Sequence, residues 1–163
     1  MGTVIWYRKY IMVLWIWYCD LQKAFVTVSH GILLSKIYYG IRATVFNWFK
    51  NYLTNRKQYV AIDNVSSTIS NIDCGVPQGS VPGPLLFLIY MDDIQYCSQD
   101  CNLYLFADDI NVFVRGKPVP DVTNKANSCM CDLTSWFLCN RLSLNLDKTN
   151  FSVNGGGKSH QTS

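Results

Sequence analysis

The stretch Leu103–Val114 reads LYLFADDINVFV, two apolar runs broken by Asp108-Asp109. That pattern predicts a strand–turn–strand hairpin with both carboxylates at its tip, where the backbone cannot hide them. Two like charges side by side cost free energy unless a cation lies between them and a further ligand. The pair is therefore a candidate divalent-metal site. A solvated turn is the commoner use of a lone Asp-Asp, and two other segments, Asp20–Phe25 and Gly75–Gly83, decide between the two readings.

A chain of 163 residues is long enough for one domain with a core, and 49% hydrophobic with 14% aromatic content implies that most of it folds. The net charge of +3 is unevenly placed. Residues 1–60 hold eight Lys or Arg and a single acid, Asp20, whereas residues 61–163 hold six basic residues and ten Asp. Such asymmetry suits a polyanionic partner beside a metal site, although an ordinary solvated surface produces it too. The seven cysteines form no paired CxxC array with zinc spacing. Free thiols in a reducing, intracellular compartment, rather than secretion, are expected. Ile11–Cys19 is an apolar run of nine residues, too short to span a bilayer and followed by no small-residue cleavage site. Its β-branched and aromatic content reads as a buried strand that ends at Asp20, and no membrane association is expected.

Elsewhere the pattern alternates helices and strands. Ser29–Tyr39 reads as a helix capped by Ser29 and terminated by Gly40. Thr44–Leu53 carries Val45, Trp48, Phe49, Tyr52 and Leu53 on one helical face. Gln58–Ile62 and Thr68–Ile72 flank Asp63-Asn64 as a hairpin. Val81–Tyr90 is an apolar helix entered through a Pro/Gly loop. Asp121–Asn140 is a helix with Asp121 as N-cap and a stripe of Val122, Ala126, Cys129, Leu133, Trp136 and Phe137, which is read as core. Further strands are expected near Leu103–Phe106, Ile110–Val114 and Phe151–Val153. Residues 1–10 match no recognised pattern, residues 11–153 form the folded domain, and the Gly-rich, polar stretch 154–163 is expected to be disordered.

Asp20-Leu21-Gln22-Lys23-Ala24-Phe25 lies where a buried strand leaves its sheet. Gly75-Val76-Pro77-Gln78-Gly79-Ser80 is a loop into a helix, with glycines that let backbone N–H groups approach a ligand. A carboxylate from one strand and a carboxylate pair from a neighbouring hairpin are what two-metal nucleotidyl transfer requires.

DLQKAF, GVPQGS-x-x-GPLLFLIY, FADD and LSLN-x-x-KT, in that order, resemble motifs A to D of reverse transcriptases, in particular those of non-LTR retrotransposons of the jockey or CR1-like type. The resemblance covers about Ile11–Val153. It implies an α+β polymerase palm, an antiparallel sheet with helices packed on one face. The implied activity is RNA-directed DNA synthesis from dNTPs on an RNA template and DNA primer, with two Mg²⁺ or Mn²⁺ ions. Asp20 and Asp108 would hold both metals, with Asp109 as the outer carboxylate and the Leu21 carbonyl as a further ligand. Phe25 would be the steric gate under the sugar 2′-position, with a core phenylalanine as a serious alternative reading. A gate at Phe25 argues against an RNA-making polymerase. Gln78 and Gly79 would contact the incoming nucleotide and template base. Lys148 is a candidate general acid or a plain surface lysine. Lys50, Arg56 and Lys57 are candidate phosphate contacts or a solvated face.

Tyr90-Met91-Asp92-Asp93 spells an alternative metal-binding motif, YMDD, but leaves only twelve residues after Gly79 for a helix and a returning strand. A ten-residue helix alone spans ~15 Å. The Asp108 pair leaves twenty-eight residues, so Asp92-Asp93 is read as a solvated helix end. Two departures from the family pattern stand near the site: Val26 where relatives have Asp, and Pro82 where they have Leu or Ile. The fingers before motif A, the thumb after motif D and an endonuclease region all lie outside these motifs. The alternative to a working polymerase palm is a decayed remnant that at most binds nucleic acid weakly.

Overall fold

In the computed structural model, residues 13–63, 65–77 and 79–154, with the backbone of 160–162, are described. In chain order the elements are β1 (Val13–Asp20), α1 (Ala24–Thr27), α2 (His30–Gly40), α3 (Ala43–Leu53), β2 (Arg56–Gln58), β3 (Ala61–Ile62), β4 (Val65–Ser66), β5 (Ser70–Ile72), α4 (Pro82–Met91), a 3-10 turn (Asp92–Tyr96), β6 (Asn102–Phe106), β7 (Asp109–Gly116), α5 (Val119–Cys139), β8 (Asn150–Asn154) and β9 (His160–Thr162). They fall into two compact units. One comprises Met1–Gln22, Asp93–Cys139 and Ser143–Ser163; the other comprises Lys23–Asp92 and Asn140–Leu142.

The first unit is built on a five-stranded antiparallel sheet in the order β6-β7-β1-β8-β9. The β6–β7 hairpin is the one expected at FADD, and its last ladder pair, Phe106 with Asp109, leaves Ala107 and Asp108 as a two-residue turn. Ala107 has a φ of 54°, the left-handed conformation such tight turns demand and alanine adopts at some cost. Alternation then sorts the residues of β7. Ile110, Val112 and Val114 are fully buried, while Asp109, Asn111 and Phe113 point to the other face. Helix α5 lies against β7 and β1 and supplies Val122, Ala126, Cys129, Leu133 and Phe137, each at most 2% exposed. The predicted stripe is thus core, except that Trp136 is only half-buried. Asp121 sits within the first helical turn rather than capping it, because the helix starts two residues earlier. An acid there still opposes the positive end of the helix dipole.

Trp15, Trp17 and Phe151 stack across β1 and β8, with ring centroids 5.0–6.2 Å apart. The expected strand at Ile11–Cys19 is β1, although Ile11 and Met12 lie outside the described residues. Composition argues for disorder over 154–163, yet Asn154 closes β8 and His160–Thr162 pair with Phe151–Val153. An open strand edge offers unpaired N–H and C=O groups, and backbone pairing there does not depend on side-chain hydrophobicity. Residues 155–159 and 163, like residues 1–10, lie outside the described set. Free thiols describe Cys19, Cys74, Cys97, Cys131 and Cys139, whereas Cys101 and Cys129 are joined, linking the start of β6 to α5. The hairpin and helix bring the two within a Cα separation of 6.5 Å, a proximity that spacing alone does not reveal.

In the second unit α2 packs against α4 and α3. Leu33, Ile37, Leu53, Leu86, Phe87 and Tyr90 form its core. Helix α4 begins with Pro82 at its first position, where a missing N–H is harmless. Of the apolar face predicted on α3, Phe49 and Leu53 are buried but Val45 and Trp48 remain exposed. Periodicity identifies a face without saying how wide a stripe is covered. The predicted hairpin around Asp63 exists in two pieces, β2 with β5 and β3 with β4.

Leu133, with no exposed surface, anchors α5 to the sheet. Leu133→Ala should lower unfolding free energy by about 2–5 kcal/mol, and Leu138→Ala, at a residue of the same helix that is 72% exposed, by less than about 0.5 kcal/mol. Urea unfolding of the two variants compares them directly.

Candidate active site

The pairing of β1 with β7 determines what the two acidic segments can do together. Register sets Cys19 opposite Ile110 and Asp20 opposite Asp109. Directly opposed residues share a face, with Cβ atoms about 5 Å apart, and like charges so placed repel. Asp20 and Asp109 therefore project on the side away from α5, with Tyr18 and Asn111 beside them. They open on a cavity of about 220 Å³ that Lys148 also lines. Asp108 stands one residue outside the ladder, half-exposed at the hairpin tip. Asp20 and the Asp108-Asp109 tip thus meet at one end of one sheet. Asp92 and Asp93 belong to the 3-10 turn after α4, and neither is a ladder partner of Asp20.

Asp20 is the best-held of these carboxylates. Its side chain is 20% exposed, and Lys148 Nζ lies 3.4 Å from Oδ2. Lys148 is 71% exposed, so water screens most of that attraction. The Asn145 side-chain amide donates to the same Oδ2 at 3.2 Å, and the Asn145 backbone N–H donates to the Asp20 carbonyl at 2.9 Å. Gln22 N–H donates to the Ser143 carbonyl at 2.8 Å, which completes a short antiparallel bridge centred on Leu21 and Leu144. Those bridge bonds use the Asp20 carbonyl and leave the Leu21 carbonyl out. Leu21 itself is buried. Asn145 was not singled out by sequence reasoning; the signal available was only its place in LSLN-x-x-KT, three residues before Lys148.

Among the described residues no three His, Cys, Asp or Glu side chains form a preformed metal cage. That donor set still fits Mg²⁺, which is commonly held by one or two carboxylates together with substrate phosphates rather than by protein alone.

The remaining predicted residues lie in the second unit. Phe25 is half-buried on α1 and stacks on Phe87, ring centroids 4.5 Å apart. Gln78 lies outside the described residues, and Gly79 has a φ of 77° with open space where a Cβ would stand. The loop that carries them is tied at several points. Gly75 N–H donates to the Val28 carbonyl at 2.7 Å and Val76 N–H to the Phe25 carbonyl at 2.8 Å. Buried His30 lies with Nε2 2.7 Å from the Gly75 carbonyl. A carbonyl can only accept, so that nitrogen carries the proton. At the far end a Cβ on Gly83 would come within 2.8 Å of the Pro77 carbonyl, so only glycine fits there. His30 and Gly83 are thus loop-holding residues that the sequence does not advertise. In the YMDD segment Tyr90 is fully buried, and its hydroxyl donates to the Asn140 carbonyl at 2.5 Å.

Next to Asp20, burial pushes the Cys19 thiol up from 9.0 to about 11. A thiol whose folded value exceeds its unfolded one contributes stability that is present below pH 9 and lost as pH rises toward 11. Unfolding free energy should fall over that window, by up to about 3 kcal/mol. Cys19→Ala should flatten that part of the profile relative to wild type, as followed by urea denaturation at stepped pH.

Residues 7–162 match the family model described as reverse transcriptase (RNA-dependent DNA polymerase). A probable RNA-directed DNA polymerase from transposon X-element of Drosophila melanogaster is 32% identical over 139 residues, which covers 82% of this chain and 15% of that protein. The RNA-directed DNA polymerase from mobile element jockey of Drosophila funebris is 28% identical over 146 residues, 85% of this chain and 15% of the relative. The chain thus spans about 15% of the length of these relatives. Among solved structures, telomerase from Candida albicans superposes with a TM-score of 0.61 at 13% identity, over 91% of this chain and 29% of that one. Telomerase from Candida tropicalis gives 0.62 at 11%, over 93% and 28%. These likenesses establish a polymerase palm-type α+β fold. The family match over nearly the whole chain, with the X-element identity, makes this chain a member of the reverse transcriptase family.

Proposed function

We propose that this chain is the palm of an RNA-directed DNA polymerase, carrying the carboxylates that join a dNTP to a primer 3′-hydroxyl on an RNA template. The observation that carries the reading is the register that sets Asp20 opposite Asp109, with Asp108 beside it at the hairpin tip. Two divalent ions, Mg²⁺ or Mn²⁺, when bound supply Lewis-acid charge that favours the attacking hydroxylate and the leaving pyrophosphate. Asp20 and Asp108 would hold both ions, with Asp109 as the outer carboxylate and the Leu21 carbonyl completing the set.

The chain's own residues have distinct tasks. Asp20, held at Oδ2 by Asn145, presents a fixed anion where cation and substrate converge. Lys148 carries a transferable proton beside this anion, and its reach to Asp20 supports a general-acid role toward departing pyrophosphate. Phe25 would exclude a 2′-hydroxyl by its ring. Gln78 and Gly79 would contact nucleotide and template base, and the positive φ of Gly79 suits a backbone amide turned toward a ligand. Lys50, Arg56 and Lys57 would add salt-sensitive affinity for phosphates without reading sequence. DNA primer, RNA template and dNTP are the partners this assignment requires.

A chain spanning about 15% of its relatives should extend a primer poorly when isolated, since misplacing reacting groups by ~1 Å costs about 10²-fold. Joined to the fingers and thumb of a relative, the palm should incorporate dNTPs with Mg²⁺ or Mn²⁺. In that chimera Asp108→Asn should abolish incorporation and leave template binding nearly unchanged. Comparable turnover by the mutant in a primer-extension assay would refute the metal role of Asp108, and robust extension by the bare chain would refute the need for the other regions. Phe25→Ala should admit ribonucleotides in the same assay; unchanged sugar selectivity would leave Phe25 as a packing partner of Phe87 only.

A further inference from the structure

Asn145 is tied to its surroundings through its side-chain amide N–H, its backbone N–H and its backbone carbonyl. Its side-chain amide donates to Asp20 Oδ2 at 3.2 Å, and its backbone N–H donates to the Asp20 carbonyl at 2.9 Å. Its own carbonyl accepts from Lys148 N–H at 3.2 Å, from Thr149 N–H at 2.9 Å and from the Thr149 hydroxyl at 2.8 Å. One residue therefore grips the carboxylate on one side and closes the turn that carries Lys148 on the other. Lys148 then lands on the same carboxylate oxygen, 3.4 Å away. The two hydrogen bonds to Asp20 cross 125 residues of sequence, so they fix the end of β1 against a segment that local structure cannot hold there.

We propose that Asn145 is a positioning residue of the active site, one that orients the Asp20 carboxylate for cation binding and places Lys148 beside it. The proposal rests on the assignment of Asp20 as a metal ligand. A ligating carboxylate left to rotate presents its oxygens in many directions, and a fixed hydrogen bond removes that freedom before the cation arrives. Partners of this kind typically change metal affinity or activity by about 10–100-fold when removed. The amide is suited to the task because it donates without bringing charge. An aspartate in its place would repel Asp20, and a leucine would fill the same space but donate nothing.

The test uses Mn²⁺ as the probe, with the free ion counted by electron paramagnetic resonance as the 163-residue chain is titrated. Asn145→Ala and Asn145→Leu should each weaken Mn²⁺ binding by about 10-fold or more, with circular dichroism unchanged. Wild-type affinity in Asn145→Leu would mean that the side chain only fills space, and would overturn the proposal. Asp20→Asn separates this from the assignment beneath it. If Asp20→Asn loses Mn²⁺ while both Asn145 variants keep it, only the positioning role fails. If Asp20→Asn binds as wild type does, Asp20 is no ligand and both readings fall. Should the Asn145 variants not fold, Thr149→Val loosens the Asn145 carbonyl without touching Asp20. It should weaken Mn²⁺ binding by a smaller factor, and unchanged affinity there would equally overturn the proposal.

Discussion

The antiparallel pairing of β1 with β7 is the interaction on which the site depends. Side chains alternate along a strand, so the register that sends Cys19 inward with Ile110 sends Asp20 outward with Asp109. A slip of one residue would bury the carboxylate against α5 and expose the thiol. The core pins the register: Ile110, Val112 and Val114 have no exposed surface, and any shift would trade them for Asp109, Asn111 and Phe113. Apolar burial in α5 and the sheet thus fixes the position of charges that lie on the opposite face.

The second unit solves a different problem, that of holding a flexible Pro/Gly loop in one shape. Its means are polar and steric. His30 and the Val28 and Phe25 carbonyls fasten Gly75 and Val76, while the close approach of Pro77 to Gly83 fastens the entry to α4. Glycine serves in two opposite ways along this short stretch. At Gly79 it permits a backbone conformation and leaves space open; at Gly83 it permits a contact that fills the space completely.

Local signals carried far in this chain. Period-two alternation and a two-residue polar break were enough to read the FADD hairpin, and the stripe from Val122 to Phe137 was enough to read α5 as core. Chain-length arithmetic after Gly79 separated the hairpin acids from Asp92-Asp93, because a helix has a known rise and needs room. What stayed hidden was long-range or purely backbone-driven. Asn145 reaches Asp20 across 125 residues, and its place in LSLN-x-x-KT does not by itself say which residue it meets. Strand β9 forms from residues whose composition argues against any fold, because an open edge asks only for N–H and C=O groups. The Cys101–Cys129 link belongs to the same class, a meeting of two segments that depends on where the sheet puts them.

The central strand of the sheet precedes both of its partners by long stretches of sequence, and that has a consequence for folding. Asp20 waits for Asp109, 89 residues later, and Leu14 for Asn154, 140 residues later. Until those partners form, the segment VLWIWYC is an uncharged, aromatic and β-branched strand without the two ladders it has in the fold. Segments of that composition are prone to pair with copies of themselves. Contacts so distant in sequence also close slowly, since loop entropy is spent before any pairing rewards it. The same strand that aligns the carboxylates in the folded state is therefore the one most in need of shelter on the ribosome, and refolding yield should depend more on protein concentration than on the stability finally reached.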